Sequence, residues 1–113
     1  MRTLNSLAVL FAFGCYASLV LAADASVTIF SPADGAKLSR TEQTKINFEV
    51  MPGPKGDHTH LYVDDKEEGV LHQLKGSYML ESPSPGKHEI CIKIVSRNHT
   101  PIGMQQCIKV SVE

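Results

Sequence analysis

The chain carries five histidines, His58, His60, His72, His88 and His99. Two of them form a His-x-His pair, His58-Thr59-His60, ahead of Leu61-Tyr62-Val63. Residues two apart on an extended strand point to one side, roughly 6.5–7 Å apart along the chain, so two imidazoles can close on one metal ion. Imidazole suits zinc, copper and nickel, and thioether sulfur adds preference for copper(I). Neutral imidazole is also a common metal ligand. A third imidazole, His99, and two thioethers, Met51 and Met104, stand in segments that can reach the same place. The expected ligands are, in order, His60, His58 and His99, with Met51 or Met104 as a fourth, and copper is the expected ion. The plainer alternative is a pair of hydrogen-bonded surface histidines, with the methionines capping the open end of a core.

Other chemistry is hard to find. There is no nucleophile elbow, no phosphate-cradling glycine loop, no His-Glu-x-x-His and no paired-cysteine zinc motif. The carboxylates are scattered or sit in turns, as Asp64 and Asp65 do. The expectation is that the chain is not an enzyme. His88 shares parity with Ile90 and is expected to be a buried structural histidine, at the opposite end from the cluster. His72 has no evident place.

A cysteine pair, Cys91 and Cys107, sets the frame for His99. In Ile90-Cys91-Ile92-Lys93-Ile94-Val95 the isoleucines share one face and Cys91 and Lys93 the other. In Cys107-Ile108-Lys109-Val110-Ser111-Val112 the aliphatics share one face and Cys107 the other. Between the two runs, Arg97-Asn98-His99-Thr100-Pro101-Ile102-Gly103 is a loop by composition. Folding the runs back about His99 sets Cys91 opposite Cys107 on the solvent face, within the roughly 4.5–5.5 Å of cross-strand neighbours. A disulfide across this last hairpin is expected; free thiols or metal ligands are the alternatives.

The remaining elements are also strands. Val27 and Ile29 alternate, and Ile46, Phe48 and Val50 alternate with Lys45, Asn47 and Glu49. Turn clusters fall at 31–35, 52–57 and 64–69, with weaker strands at 70–73 and 77–80. No sustained 3.6-residue period occurs. The pattern predicts an all-β domain, an immunoglobulin-like β-sandwich of about seven strands. In such a sandwich the strands at His58 and Ile90 are antiparallel neighbours. The loops 51–57 and 97–103 then share an end, which brings His58, His60 and His99 together.

The chain opens with Arg2, an apolar run from Leu7 to Leu21 containing Cys15, and small residues at Ala22, Ala23 and Ala25. That order predicts a cleaved signal peptide over 1–23, with one domain over 24–113. The protein is then exported, periplasmic or secreted, and the oxidising compartment suits the disulfide. Without Arg2, ten basic residues face twelve acidic ones. Neither nucleic acid nor, after processing, a membrane is an expected partner.

Several strings resemble known families. Ser31-Pro32-Ala33-Asp34-Gly35-Ala36 is similar to the opening of many exported bacterial immunoglobulin-like domains. His58-Thr59-His60-Leu61-Tyr62-Val63-Asp64, Pro85-Gly86-Lys87-His88 and His99-Thr100-Pro101 together resemble a family of small exported bacterial domains of unknown function. Its pattern is a His-rich strand ending in Asp, a Pro-Gly-x-His strand start and a late His-x-Pro. Thr59 stands where that family often has a third histidine. The resemblance implies the fold and the exported location, and no activity. Two functions follow as expectations: a copper or other transition-metal carrier, or a metal-independent module that binds a protein partner or a glycan.

Overall fold

A computed structural model describes residues 24–113. The expected signal segment 1–23, with Cys15, lies outside the described residues. Among the described residues every regular element is a strand: β1 (Ser26–Ser31), β2 (Ala36–Leu38), β3 (Thr44–Met51), β4 (His58–Val63), β5 (Lys66–Leu71), β6 (Lys75–Leu80), β7 (Gly86–Val95) and β8 (Pro101–Val112). They form two sheets, one ordered β1-β3-β6 and the other β2-β8-β7-β4-β5. This is an immunoglobulin-like β-sandwich, with eight strands rather than about seven. The added strand is β2, which runs parallel to β8 through Ala36↔Val110 and Leu38↔Val112.

Alternation in the sequence becomes the core. Ile46, Phe48 and Val50 of β3 face Leu61 and Val63 of β4, Ile90, Ile92 and Ile94 of β7, and Ile108, Val110 and Val112 of β8 in one buried cluster. Two apolar inner faces meeting this way bury the fold's hydrophobic surface. The crossing from β1 to β2 is pinned to β8. Asp34 Oδ1 accepts from the Lys109 N–H at 2.7 Å, and the Gly35 N–H donates to Lys109 O at 2.6 Å.

Two connections set the ends of β4. Asp64 and Asp65 form its far hairpin with β5, and both have positive φ, 52° and 67°. A two-residue turn of that hand matches the strand twist. At the near end, Gly56 lies so close to Ile94 and the Pro52 carbonyl that a Cβ there would overlap both. The Asp57 N–H donates to Val95 O at 2.8 Å. These contacts fix the loop that delivers His58.

The disulfide is formed between Cys91 and Cys107, which face each other in the β7–β8 ladder with Cα atoms 4.0 Å apart. It lies on the outer face of its sheet, as the alternation predicts. Cys91 is nonetheless buried, because Tyr62 is its cross-strand neighbour on β4.

Candidate metal centre

The β4–β7 register sets His58 opposite Val95, His60 opposite Lys93 and Tyr62 opposite Cys91. The three β4 side chains share the outer face, and Thr59, Leu61 and Val63 turn inward, as expected from parity. Position 59 faces the core, so no residue there could join a site on the outer face.

His99 arrives from the tip of the last hairpin. Its N–H donates to Ser96 O at 2.9 Å, and the Ser96 N–H donates to Thr100 O at 2.8 Å. His99 itself has φ of 68°. That left-handed backbone is uncommon for a residue with a side chain, though histidine is among those enriched there. It turns the imidazole back over β4.

The three rings converge. His58 Nε2 lies 3.2 Å from His60 Nε2 and 3.2 Å from His99 Nδ1, and His60 Nε2 lies 3.0 Å from His99 Nδ1. An ion bonded to all three at ~2.0–2.1 Å would sit about 1 Å out of their plane, with angles of about 100° between ligands.

Two carboxylates complete the arrangement. His58 Nδ1 hydrogen-bonds Asp57 Oδ2 at 2.9 Å, and Glu67 Oε1 lies 3.3 Å from His60 Nδ1. An ionised carboxylate only accepts, so the proton of each neutral ring belongs on Nδ1 and the lone pair on Nε2. Two lone pairs then face each other at 3.2 Å. A proton between them, from the Nδ1–H of His99 or from a ring protonated on both nitrogens, makes the cluster a hydrogen-bonded network; without one, three lone pairs point at one spot, as they would around a cation. Burial lowers the His60 pKa, against the opposing pull of Glu67. It therefore favours the neutral ring that a metal needs.

His58 and His60 are 8% and 4% exposed, so they are not the surface pair of the plainer alternative. Buried polar rings need partners, and here those partners are each other, His99 and the two carboxylates. His99 is exposed. The methionines stand apart in character. Met51 lies at the end of β3, in the other sheet, 57% exposed, and Met104 lies on β8, 39% exposed.

Three neighbours escaped the sequence reading. Glu67 lay in what reads as a charged turn. It is instead a β5 residue paired with Tyr62, on the same face as His60. His72, just past β5, stacks its ring on His58 with centroids 6.3 Å apart. Lys93 places its ammonium 4.4 Å above the Tyr62 ring. Burial, then the Glu67 charge, pushes the Tyr62 phenol pKa up.

At the opposite end His88 is half-buried rather than buried. It pairs through Nδ1 with Asp64 Oδ2 at 2.5 Å and through Nε2 with Ser84 O at 2.6 Å. An open groove of about 550 Å³ runs past this pair. It is distant from the histidine cluster, and the pair's ring and carboxylate already satisfy each other.

The fold and site define a small immunoglobulin-like sandwich with a three-imidazole cluster at one end. Solved structures share the fold at low identity. Fibronectin(III)-like modules of Clostridium thermocellum CbhA match with a TM-score of 0.65 at 17% identity, over 77% of this chain and 96% of theirs. An engineered protein matches at 0.55 and 18% identity, over 80% of this chain and 20% of its own. An extracellular domain described for a hybrid two-component system of B. thetaiotaomicron matches at 0.52 and 15% identity, over 87% of this chain and 16% of its own. No family model and no curated protein matches the chain.

Proposed function

We propose that this chain is an exported metal-binding domain that holds one transition-metal ion between His58 Nε2, His60 Nε2 and His99 Nδ1. Copper(II) and zinc are among the ions that three imidazoles suit. The observation that carries the reading is the convergence of three ring nitrogens at 3.0–3.2 Å, with a carboxylate beside Nδ1 of two of the rings. Only three protein ligands and an exposed third one, His99, suit a carrier that takes up and releases its ion, rather than a closed four-ligand structural site. The test is a titration of the oxidised protein with zinc, copper(II) and copper(I), followed by NMR at the five histidines and at the Met51 and Met104 methyls. Saturable one-to-one shifts confined to His58, His60 and His99, lost in His60→Ala with the fold intact, are expected. Flat spectra, or weak shifts spread over all five histidines, sink the reading.

A second reading, a protein-interaction module, has its own support. Phe30 on β1 and Met79 on β6 are 58% and 48% exposed, on the outer side of the three-stranded sheet. Exposed apolar side chains on one sheet face are where partners dock. This reading expects no metal response and a contact surface that need not include His99.

A further inference from the structure

We propose that Asp57 and Glu67 make this centre select a divalent ion over copper(I). The inference rests on the metal-binding reading above and adds what sets the site's preference.

Each carboxylate stands directly behind one ligand ring. Asp57 Oδ2 is 2.9 Å from His58 Nδ1, and Glu67 Oε1 is 3.3 Å from His60 Nδ1. Both are thus one imidazole away from the point where the three nitrogens meet. Three neutral imidazoles carry no charge, so the two carboxylates give this cluster two negative charges. A divalent ion balances them, and a monovalent ion leaves one uncompensated. Lys93 stands opposite His60 in the ladder. Its ammonium lies over the Tyr62 ring, 3.9 Å from Asp65 Oδ1, so it has partners of its own.

Donor type works in the same direction. The converging atoms are three nitrogens of borderline softness, whereas copper(I) is favoured by soft sulfur ligands. The thioethers of Met51 and Met104 are exposed, and they belong to different sheets. The carboxylates also fix the tautomer and orient the rings, and loss of such partners typically weakens metal binding 10–100-fold.

Charge and orientation separate by choice of substitution. Glu67→Gln and Asp57→Asn keep an oxygen that accepts from Nδ1–H and remove only the charge, whereas Glu67→Leu removes both. Dissociation constants for zinc and for copper(I) are measured by competition against chelators of known affinity. NMR spectra of each variant check that it is folded. In the wild type, zinc and copper(II) are expected to bind one-to-one. In Glu67→Gln and Asp57→Asn the zinc constant is expected to weaken about 10-fold, at the low end of the range above, with the copper(I) constant changed by less than about threefold. In Glu67→Leu both weaken.

Equal weakening of both ions in the carboxamide variants would show that the carboxylates only hold the rings, and would overturn the inference. So would no change for either ion. Both results leave the metal-binding reading standing. A wild type that binds neither ion overturns that reading, and this inference with it.

Discussion

Asp64 carries two tasks with its two oxygens. One accepts from the Glu89 N–H at 2.9 Å, and the other pairs with His88 Nδ1. It does so from a left-handed backbone position that Asp and Asn tolerate better than most residues. The hydrogen bond to Asp64, then that to Ser84, raises the His88 pKa. The hydrogen bond from His88, then that from the Glu89 backbone, lowers the Asp64 pKa. The stability contributed by His88 is fully present below its unfolded value of 6.5 and fades as pH rises through the raised folded value. That of Asp64 is present above its unfolded value of 3.8 and fades as pH falls through the lowered folded value. The pair therefore acts most strongly between those two unfolded values. Asp64→Asn keeps the turn and loses the charge. Because Asp64 is half exposed, solvent screening limits the effect to about 1 kcal/mol. Urea unfolding of wild type and variant is expected to differ most near pH 5, to differ less at high pH, where Asp64 keeps its bond from the Glu89 N–H but His88 is neutral, and to converge at acid pH as Asp64 is protonated. A difference independent of pH would show that the pair contributes as a neutral hydrogen bond.

At the scale of elements, the last hairpin links the disulfide to the histidine cluster. The ladder holds Cys91 opposite Cys107, and the strand continues from Cys91 to the tip that carries His99. The bond closes a loop with a sequence separation of 16 residues, which in the chain-entropy view stabilises by about 3 kcal/mol. Cys91→Ala/Cys107→Ala is expected to unfold at lower urea by about that amount. It is also expected to bind metal more weakly, since β8 is then freer to move relative to β4. An unchanged metal affinity would mean that the turn bonds of Ser96, and not the disulfide, position His99.

The same hairpin shows what the sequence makes legible. Ile90, Ile92 and Ile94 against Ile108, Val110 and Val112 alternate over enough residues to define two strands, their facing sides and the cysteine pairing. The same parity puts His58 and His60 on one face, and the strand order brings the loop of His99 to their end. Two things were out of reach. β2 is three residues long, Ala36–Leu38, too short to show a period, and it owes its existence to pairing with β8. The first half of β5 is Lys66-Glu67-Glu68, charged and exposed. Its strand character comes from its neighbour β4, not from its own apolar content. The irregularity between Leu61 and Tyr62, which moves the pairing from Gly69 to Glu67, is what aligns Glu67 with Tyr62 and so with the His60 face. No local pattern in the sequence announces it.

For the whole molecule, the proposed site would link metal binding to folding. His58 and His60 belong to β4, and His99 is 39 residues beyond His60, at the far end of β7. The unfolded chain cannot hold the three nitrogens within 3.2 Å of one another without first closing that loop, so an ion captured by all three binds the folded state preferentially. Free metal at 100 times its dissociation constant then stabilises the fold by ~2.7 kcal/mol. For a domain of this size that corresponds to a rise in Tm of about 10–20 °C. Thermal unfolding of the oxidised protein is expected to rise by that amount with zinc or copper(II) and to return to its starting value with a chelator. His60→Ala is expected to unfold at a Tm that the metal leaves unchanged. His88→Ala, at the other end of the sandwich, should keep the full metal-induced rise despite a lower starting Tm. If metal raised the Tm of His60→Ala as much as that of the wild type, the ion would be bound elsewhere, and the cluster would be a hydrogen-bonded knot that ties the β7–β8 tip to β4.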